Sequence, residues 1–137
     1  MPTSGFTGEG IPDLLSVIIK YTAIYMKSRM LVKDDAFNCT VMEVKKIDGL
    51  GVTIDAILVD GTITKDDHIC LLGFDGPIKT KIRALLTPHP MKEMRVKGEY
   101  EHHDVIHASM GIKISAPDLE FAVAGSQLYL ANTPEEE

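Results

Sequence analysis

The sequence has little of what secreted scaffolds and membrane spans require. Its 137 residues include no tryptophan and two cysteines, Cys39 and Cys70. Two cysteines this far apart, without a secretory signal before them, indicate buried thiols in a reducing cytoplasm rather than a disulfide framework. No uninterrupted apolar stretch approaches the ~20 residues that cross a bilayer. We therefore expect a cytoplasmic protein that makes no membrane contact.

Positive charge is also scarce. The chain has 14 Lys and Arg against 20 Asp and Glu, which gives a formal net charge of -6. General polyanion binders have cationic surfaces, so any nucleic-acid contact here must be confined to a local patch. Hydrophobic residues make up 45% of the chain, which is ordinary for one compact globular domain, and any second unit must be small.

The first quarter of the chain has a helical pattern. Gly10 offers a flexible entry, Pro12 suits an early helical position, and Asp13 suits the positive end of the helix dipole. Seven apolar residues then recur at three- and four-residue spacing: Ile11, Leu14, Leu15, Ile18, Ile19, Tyr25 and Met26. The pattern predicts one amphipathic helix over residues 11–31, with Lys27 and Arg29 near its end.

The rest of the chain has the pattern of short strands. Three Asp-Gly pairs, at residues 48–49, 60–61 and 75–76, each lie beside a β-rich run and predict hairpin turns. One run has a strongly apolar face, formed by Val52, Ile54, Ala56 and Leu58. Six or more short strands without a further helical run favour a closed β-barrel or a sandwich.

A cluster of basic residues is the first candidate for function. On a strand, Lys79, Lys81 and Arg83 would project from one face because they are spaced by two. The whole cluster between positions 79 and 97 is Lys79, Lys81, Arg83, Lys92, Arg95 and Lys97. Fixed cations suit an RNA backbone. The alternative is a solvated face of a structural interaction module, in which these residues pair with acids such as Asp55, Asp60 or Glu99.

The histidines are a weaker candidate. His103 and His107 would share a face and could bind a metal if their segment were helical. The glutamate of a zincin motif is missing and neither cysteine lies nearby, so we interpret His102, His103 and His107 as surface histidines and expect no metal site.

Neither the acidic pairs nor the glycine-rich opening predicts catalysis. The adjacent acids at residues 34–35 and 66–67 would point in opposite directions on an extended chain, which favours turn and capping roles. Gly10 is followed by Ile11 and Pro12, whereas a phosphate-binding loop needs a lysine and a hydroxyl there. The glycines alone predict a flexible turn and a helix cap.

Taken together, these segments resemble a known family. "PTSGFTGEGIPDLL" resembles the last nucleotide-contacting loop of a GTPase domain, where Ser-Ala-x-x-Gly-x-Gly leads into the final helix. "VMEVKKIDGLGVTIDAILVDGTI", "GPIKTKIRALLTPHPMKEMRVKGEY" and "HASMGIKISAPDLE" resemble the β-barrel that follows that domain in the family of translation initiation factor five-B. This family is the eukaryotic and archaeal relative of bacterial initiation factor two.

The resemblance implies a domain organisation. Residues 1–33 would be the last nucleotide loop and final helix of a truncated GTPase domain. Residues 34–133 would be the second domain, a closed antiparallel β-barrel of the translational-GTPase type, and residues 134–137 an acidic tail. The fold class is thus mainly β, with one amphipathic helix before the barrel.

The resemblance also implies function and partners. The whole protein would be a GTPase, using GTP and magnesium, that promotes joining of the ribosomal subunits. Its second domain would contact the RNA of the small ribosomal subunit and its own GTPase domain. In the guanine loop, Ser4 and Gly5 would contact the base, with Phe6 following. The remaining nucleotide motifs are absent, so this chain alone should neither bind GTP measurably nor hydrolyse it.

Two departures from the family pattern give local expectations. Gly5 stands where alanine is usual, which should hold the loop less firmly. Asp66 stands where a turn glycine is usual; because aspartate can enter the left-handed region, we expect only local strain at this turn. Without its parent sheet, the helix over residues 11–31 should expose Leu14, Leu15, Ile18 and Ile19, which predicts self-association.

Overall fold

The computed structural model describes residues 1–33, 35–89 and 100–131. The chain separates into two compact units, Met1–Leu31 and Val32–Glu137. The first unit contains the helix and the second contains the β-strands.

The first unit is built around helix α1 (Ile11–Tyr25). Gly10 is its N-cap, with φ 72°, and a Cβ at this position would collide with the carbonyl oxygen of Pro2. A proline lies at the start of the helix and Asp13 lies in the first turn. The predicted flexible turn and helix start are confirmed, since only glycine combines this φ with such close approach.

The helix is shorter than predicted. It ends at Tyr25 rather than near Leu31, and the N–H of Met26 makes the last helical bond, to Thr22 O at 2.9 Å. Residues 26–30 form a separate turn closed by the N–H of Met30 on Met26 O at 3.0 Å. Ser28 lies in this turn, and serine favours turns because its hydroxyl competes for backbone hydrogen bonds. Lys27 and Arg29 therefore lie beyond the helix.

No residue of α1 is buried. The exposure predicted for its apolar face is confirmed, with Leu14 36% and Ile19 69% exposed. Among the described residues, no helix has the length and apolar character needed to cross a membrane.

The second unit is mainly β, as predicted. Its strands are β1 (Asn38–Ile47), β2 (Gly51–Asp60), β3 (Thr62–Thr64), β4 (His68–Gly73), β5 (Gly76–Lys81), β6 (Ala84–Pro88), β7 (Tyr100–His103), β8 (Val105–His107), β9 (Met110–Ser115) and β10 (Gln127–Leu130). A short 3₁₀ helix (Leu119–Phe121) precedes β10. Over the described ranges, eight strands form an antiparallel sheet in the order β5-β4-β10-β1-β2-β9-β6-β7, and β3 pairs with β8.

Two of the three predicted hairpin turns are confirmed. Residues 48–50 join β1 to β2, and the register Gly73↔Gly76 closes the hairpin between β4 and β5. The prediction at residues 60–61 is wrong, because β2 is already paired with β1 and β9 on its two sides. The chain therefore leaves the sheet after Gly61, and β3 pairs with β8 instead.

One hydrophobic cluster forms the core of the second unit. Its members include residues from strands far apart in the sheet order, such as Leu71 in β4 and Leu85 in β6. Each buried leucine or isoleucine contributes roughly 1.5–3 kcal/mol relative to an exposed one. Cys39 is fully buried, which raises the pKa of its thiol to about 12. Cys70 is only partly buried, so the prediction of two buried thiols is wrong for it.

Both faces of β2 are buried between residues 53 and 56. The predicted apolar face is confirmed, since Ile54, Ala56 and Leu58 are fully buried. On the opposite face Thr53 and Asp55 are buried too, which the alternation did not predict. On the face of β2 that points away from the hydrophobic core, these two polar side chains are therefore buried as well.

Candidate nucleic-acid interface

The predicted basic face lies on and just beyond β5. Lys79 and Lys81 are exposed, whereas Thr80 between them is buried. Arg83 is exposed but follows the end of β5, so the three residues do not share one strand as predicted. The N–H of Arg83 instead donates to Ser115 O in β9, at 2.8 Å. We define the basic face as Lys79, Lys81 and Arg83; the predicted residues Lys92, Arg95 and Lys97 lie outside the described residues.

Asp55 and Asp60, two of the acids proposed as partners for these cations, have other contacts. Lys81 pairs with Asp66 at 3.1 Å, and both side chains are more than half exposed. Asp60 accepts a hydrogen bond from the backbone N–H of Lys33 at 2.9 Å, and Asp55 lies against Lys113. Glu99 lies outside the described residues. An exposed ion pair such as Lys81–Asp66 contributes only about 0–1 kcal/mol, so it leaves Lys81 available to a stronger anion.

The turn before β4 behaves as its sequence predicts. Asp66 has φ 78°, in the left-handed region that aspartate can enter. The neighbouring Asp67 accepts a hydrogen bond from the N–H of Thr64, with Oδ2 at 2.8 Å. The prediction of turn roles for this acidic pair is confirmed, and Asp34 lies outside the described residues.

The residues of the predicted guanine loop form a compact turn. The N–H of Ser4 donates to Glu9 O at 2.9 Å, and Ser4 O accepts from the N–H of Gly8 at 2.9 Å. The Ser4 hydroxyl accepts from the N–H of Thr7 at 3.2 Å. Phe6 is fully exposed, and a Cβ on Gly5 would meet nothing within 4 Å. The usual alanine would therefore fit at position 5.

His102, His103 and His107 lie on strands, so the helical arrangement that a metal site would need is not formed. His103 Nε2 is 2.7 Å from Thr87 Oγ1, and His107 Nδ1 is 2.9 Å from Thr62 Oγ1. His89 Nδ1 is 3.1 Å from Glu101 Oε1. In the part of the chain that the structure describes, no three potential metal ligands come together.

The second unit contains a buried ion pair that was not predicted from the sequence. Asp55 and Lys113 face each other in the register of β2 and β9, and their side chains are 5% and 1% exposed. Lys45 Nζ lies 3.8 Å from the other oxygen of Asp55, and Lys113 Nζ lies 5.5 Å from the Tyr100 ring centroid. The pair lies 58 residues apart in the chain, so only a correct prediction of strand pairing could have found it.

An exposed aromatic residue near the basic face was not predicted from the sequence either. In β10, Leu128 is buried whereas Gln127 and Tyr129 are exposed. The alternation of "QLYL" was the available signal, because residues two apart on a strand share a face.

Known proteins resemble this chain over its whole length. Eukaryotic translation initiation factor 5B of Schizosaccharomyces pombe is 51% identical over 137 residues, which cover all of this chain and 13% of the relative. The Saccharomyces cerevisiae protein of the same name is 47% identical over 137 residues and is covered to 14%. The chain belongs to the translation initiation factor 5B family. No protein-family profile matches it.

A solved structure of an initiation factor 5B has the same fold. It is GDP-bound aIF5B from Aeropyrum pernix, with a TM-score of 0.87 and 40% identity. The match covers 98% of this chain and 23% of that structure. The chain thus spans less than a quarter of the length of these relatives.

Proposed function

We propose that this chain is the part of a GTP-dependent initiation factor that supplies a ribosome-contacting domain. In the whole protein, which promotes joining of the ribosomal subunits, the second unit contacts RNA of the small subunit and its own GTPase domain. The observation that carries the RNA contact is the basic face, where Lys79, Lys81 and Arg83 are exposed on an otherwise acidic protein. Fixed, exposed cations bind RNA phosphates by releasing counterions.

The first unit belongs to the nucleotide-binding part of the same protein. Ser4 and Gly5 contact guanine, with Phe6 following, and the whole factor uses GTP with magnesium. The relative from Aeropyrum pernix is described as GDP-bound, which supports a guanine nucleotide. This chain alone neither hydrolyses nor measurably binds GTP. Calorimetric titration with GDP tests this, and saturable binding at micromolar concentrations would contradict it.

The second unit is a closed β-barrel of the translational-GTPase type and works in the cytoplasm. The proposed domain boundaries are those that the family resemblance implies: residues 1–33, 34–133 and 134–137. Closure is supported by the single core, which joins Leu71 in β4, near one end of the strand order, to Leu85 in β6, near the other. A closed barrel removes sheet edges that would otherwise pair with other chains.

Binding to purified small ribosomal subunits tests the RNA contact. The variant Lys79→Glu/Lys81→Glu/Arg83→Glu should abolish binding, because it places three negative charges against phosphates. The control is Lys20→Glu/Lys27→Glu/Arg29→Glu, which changes the net charge equally on exposed positions of the first unit. For the wild type, the affinity should fall as the salt concentration rises. A plot of the logarithm of the binding constant against the logarithm of the salt concentration should have a slope of about -2 to -3 for three phosphate contacts.

A second candidate function is a structural barrel that braces neighbouring domains without touching RNA. The Lys81–Asp66 ion pair favours it, since it gives one cation of the basic face a partner within the protein. The same binding assay separates the two functions. Small-subunit binding that is equally weak in the wild type and in both triple variants would support the bracing role.

If the first unit is the end of a GTPase domain, we also expect self-association through residues 11–31. The apolar side chains of α1 are exposed, and contiguous apolar surface of this kind promotes association. Sedimentation at high concentration should show a dimer that is lost in Leu15→Lys/Ile19→Lys. A wild-type chain that remains monomeric would contradict this.

A further inference from the structure

The outer face of three neighbouring strands places an aromatic ring beside the basic face. In the registers of β10, β4 and β5, Tyr129 pairs with Cys70 and Cys70 pairs with Lys79. Directly paired residues lie on the same face of a sheet, so these three side chains form one row. The adjacent pair in the register, Leu128 and Leu71, lies on the opposite face of the sheet and is buried. The Tyr129 row therefore faces outward.

This face has a shallow depression of ≈ 370 Å³. Its lining includes Tyr129, Cys70, Leu72, Pro77 and Gln127. The Tyr129 side chain is 61% exposed and Leu72 is 55% exposed, so a flat ring and an apolar floor are open to a ligand. Gln127 adds an amide that can both donate and accept hydrogen bonds.

Positive charge lies along one side of the depression. Lys79 is in the row of Tyr129, and Lys81 lies two residues further along β5, about 7 Å away on the same face. A ring to stack on, an apolar floor, an amide and adjacent cations together match one nucleotide, with its base inward and its phosphates toward the lysines. A protein partner that buried only the apolar floor would have no use for this charge.

We propose that this face binds an unpaired nucleotide of single-stranded RNA, with its base stacked on Tyr129 and its flanking phosphates against Lys79 and Lys81. The inference rests on the proposed RNA contact of the basic face and adds the class of RNA. Duplex RNA does not fit, because its bases are stacked on each other and its groove presents sugars and edges.

The binding test uses the 137-residue chain and a fluorescein-labelled oligouridylate of about ten nucleotides, read by anisotropy. Tyr129→Leu keeps an apolar side chain but removes the ring, and it should weaken binding roughly 5- to 150-fold, as loss of one stacked base does. Its salt dependence should be unchanged because no phosphate contact is lost. Tyr129→Phe should retain affinity to within about twofold, since a ring remains.

Two controls make this result specific. Tyr25→Leu is a matched substitution at an exposed tyrosine of the first unit and should not change the affinity. Thermal unfolding should show that Tyr129→Leu is folded, since its side chain is mostly exposed. A duplex of the same length should bind more weakly than oligouridylate and should not respond to Tyr129→Leu.

Cys70 reports where the RNA binds. It lines the depression and is partly exposed, whereas Cys39 is fully buried and its thiol stays protonated. N-ethylmaleimide should therefore modify Cys70 in the folded protein. Saturating oligouridylate should slow this modification in the wild type. Equal rates with and without RNA would overturn the proposed position.

The outcomes separate this inference from the proposed function. If Tyr129→Leu binds as tightly as the wild type while the triple charge reversal abolishes binding, the nucleotide pocket is wrong and the phosphate contact stands. If neither variant changes binding, both the pocket and the RNA contact of the basic face are wrong. Equal, Tyr129-dependent binding of duplex RNA would overturn the selectivity for single strands.

Discussion

Helix α1 and the sheet of the second unit use similar apolar residues with opposite results. Ile18 and Ile19 of the helix are more than half exposed, whereas Ile54 and Ile112 of the sheet are fully buried. A single amphipathic helix has one apolar stripe and buries it only against another surface, while strands that surround one cluster bury their own. The difference teaches that apolar periodicity predicts an element, and that burial depends on what the element packs against.

The change that should break the second unit most severely is Asp55→Ala. It leaves the Lys113 ammonium buried, with 1% of its side chain exposed and without its carboxylate. Removing one partner of a buried ion pair costs about 3–5 kcal/mol. Urea unfolding should show a loss of this size in the free energy of unfolding.

The double variant Asp55→Leu/Lys113→Met controls for the pair itself. Because it removes both charges and replaces them with apolar side chains of similar shape, it should be much less destabilised than Asp55→Ala. A loss of less than about 1 kcal/mol in Asp55→Ala would show that the pair is hydrated rather than buried.

A matched pair of truncations sharpens the comparison between the units. Leu71→Ala removes a buried side chain from the core and should cost about 2–5 kcal/mol. Ile18→Ala removes an exposed side chain and should change stability by no more than about 0.5 kcal/mol. Urea unfolding of both variants checks the difference, and similar losses in the two would contradict the exposure of α1.

A smaller effect should appear at alkaline pH. Burial raises the pKa of Cys39 from its ordinary value of 9.0 to about 12, so the folded state disfavours the thiolate. This contribution to stability is complete below pH 9 and declines as the pH rises toward 12. At about pH 10 the free energy of unfolding of the wild type should be lower by about 1.4 kcal/mol than at neutral pH because of this group.

Cys39→Ala isolates this effect, because it removes the titrating group and leaves the other alkaline groups in place. Its stability should decline less steeply between about pH 8 and pH 10 than that of the wild type. Parallel declines in the two proteins would show that Cys39 is not protected from ionisation.

Local patterns predicted much of this fold. Gly10 and Asp13 located the start of α1, and the Asp-Gly pairs at residues 48–49 and 75–76 located two hairpins. The same signal failed at residues 60–61 because the partners of β2 are strands distant in sequence. The predicted end of α1 lies several residues beyond the observed one. Apolar residues continue past Tyr25, although the backbone there forms a separate turn.

The candidate site was predicted in part. The exposure of Lys79 and Lys81 followed from their spacing by two in a β-rich run. Tyr129 lies about 50 residues away in sequence and joins them only because β4 pairs with both β10 and β5. Spacing within one strand cannot show which strand lies beside it.

The sequence by itself determined the order of elements, the inward face of β2 and the resemblance to the initiation factor 5B family. These depend on local periodicity and on similarity along the chain. Only the tertiary structure decided that Asp55 meets Lys113 and that Tyr129 lies in one row with Cys70 and Lys79. Strand pairing brings together residues distant in sequence, and its register is set by the packing of the whole core.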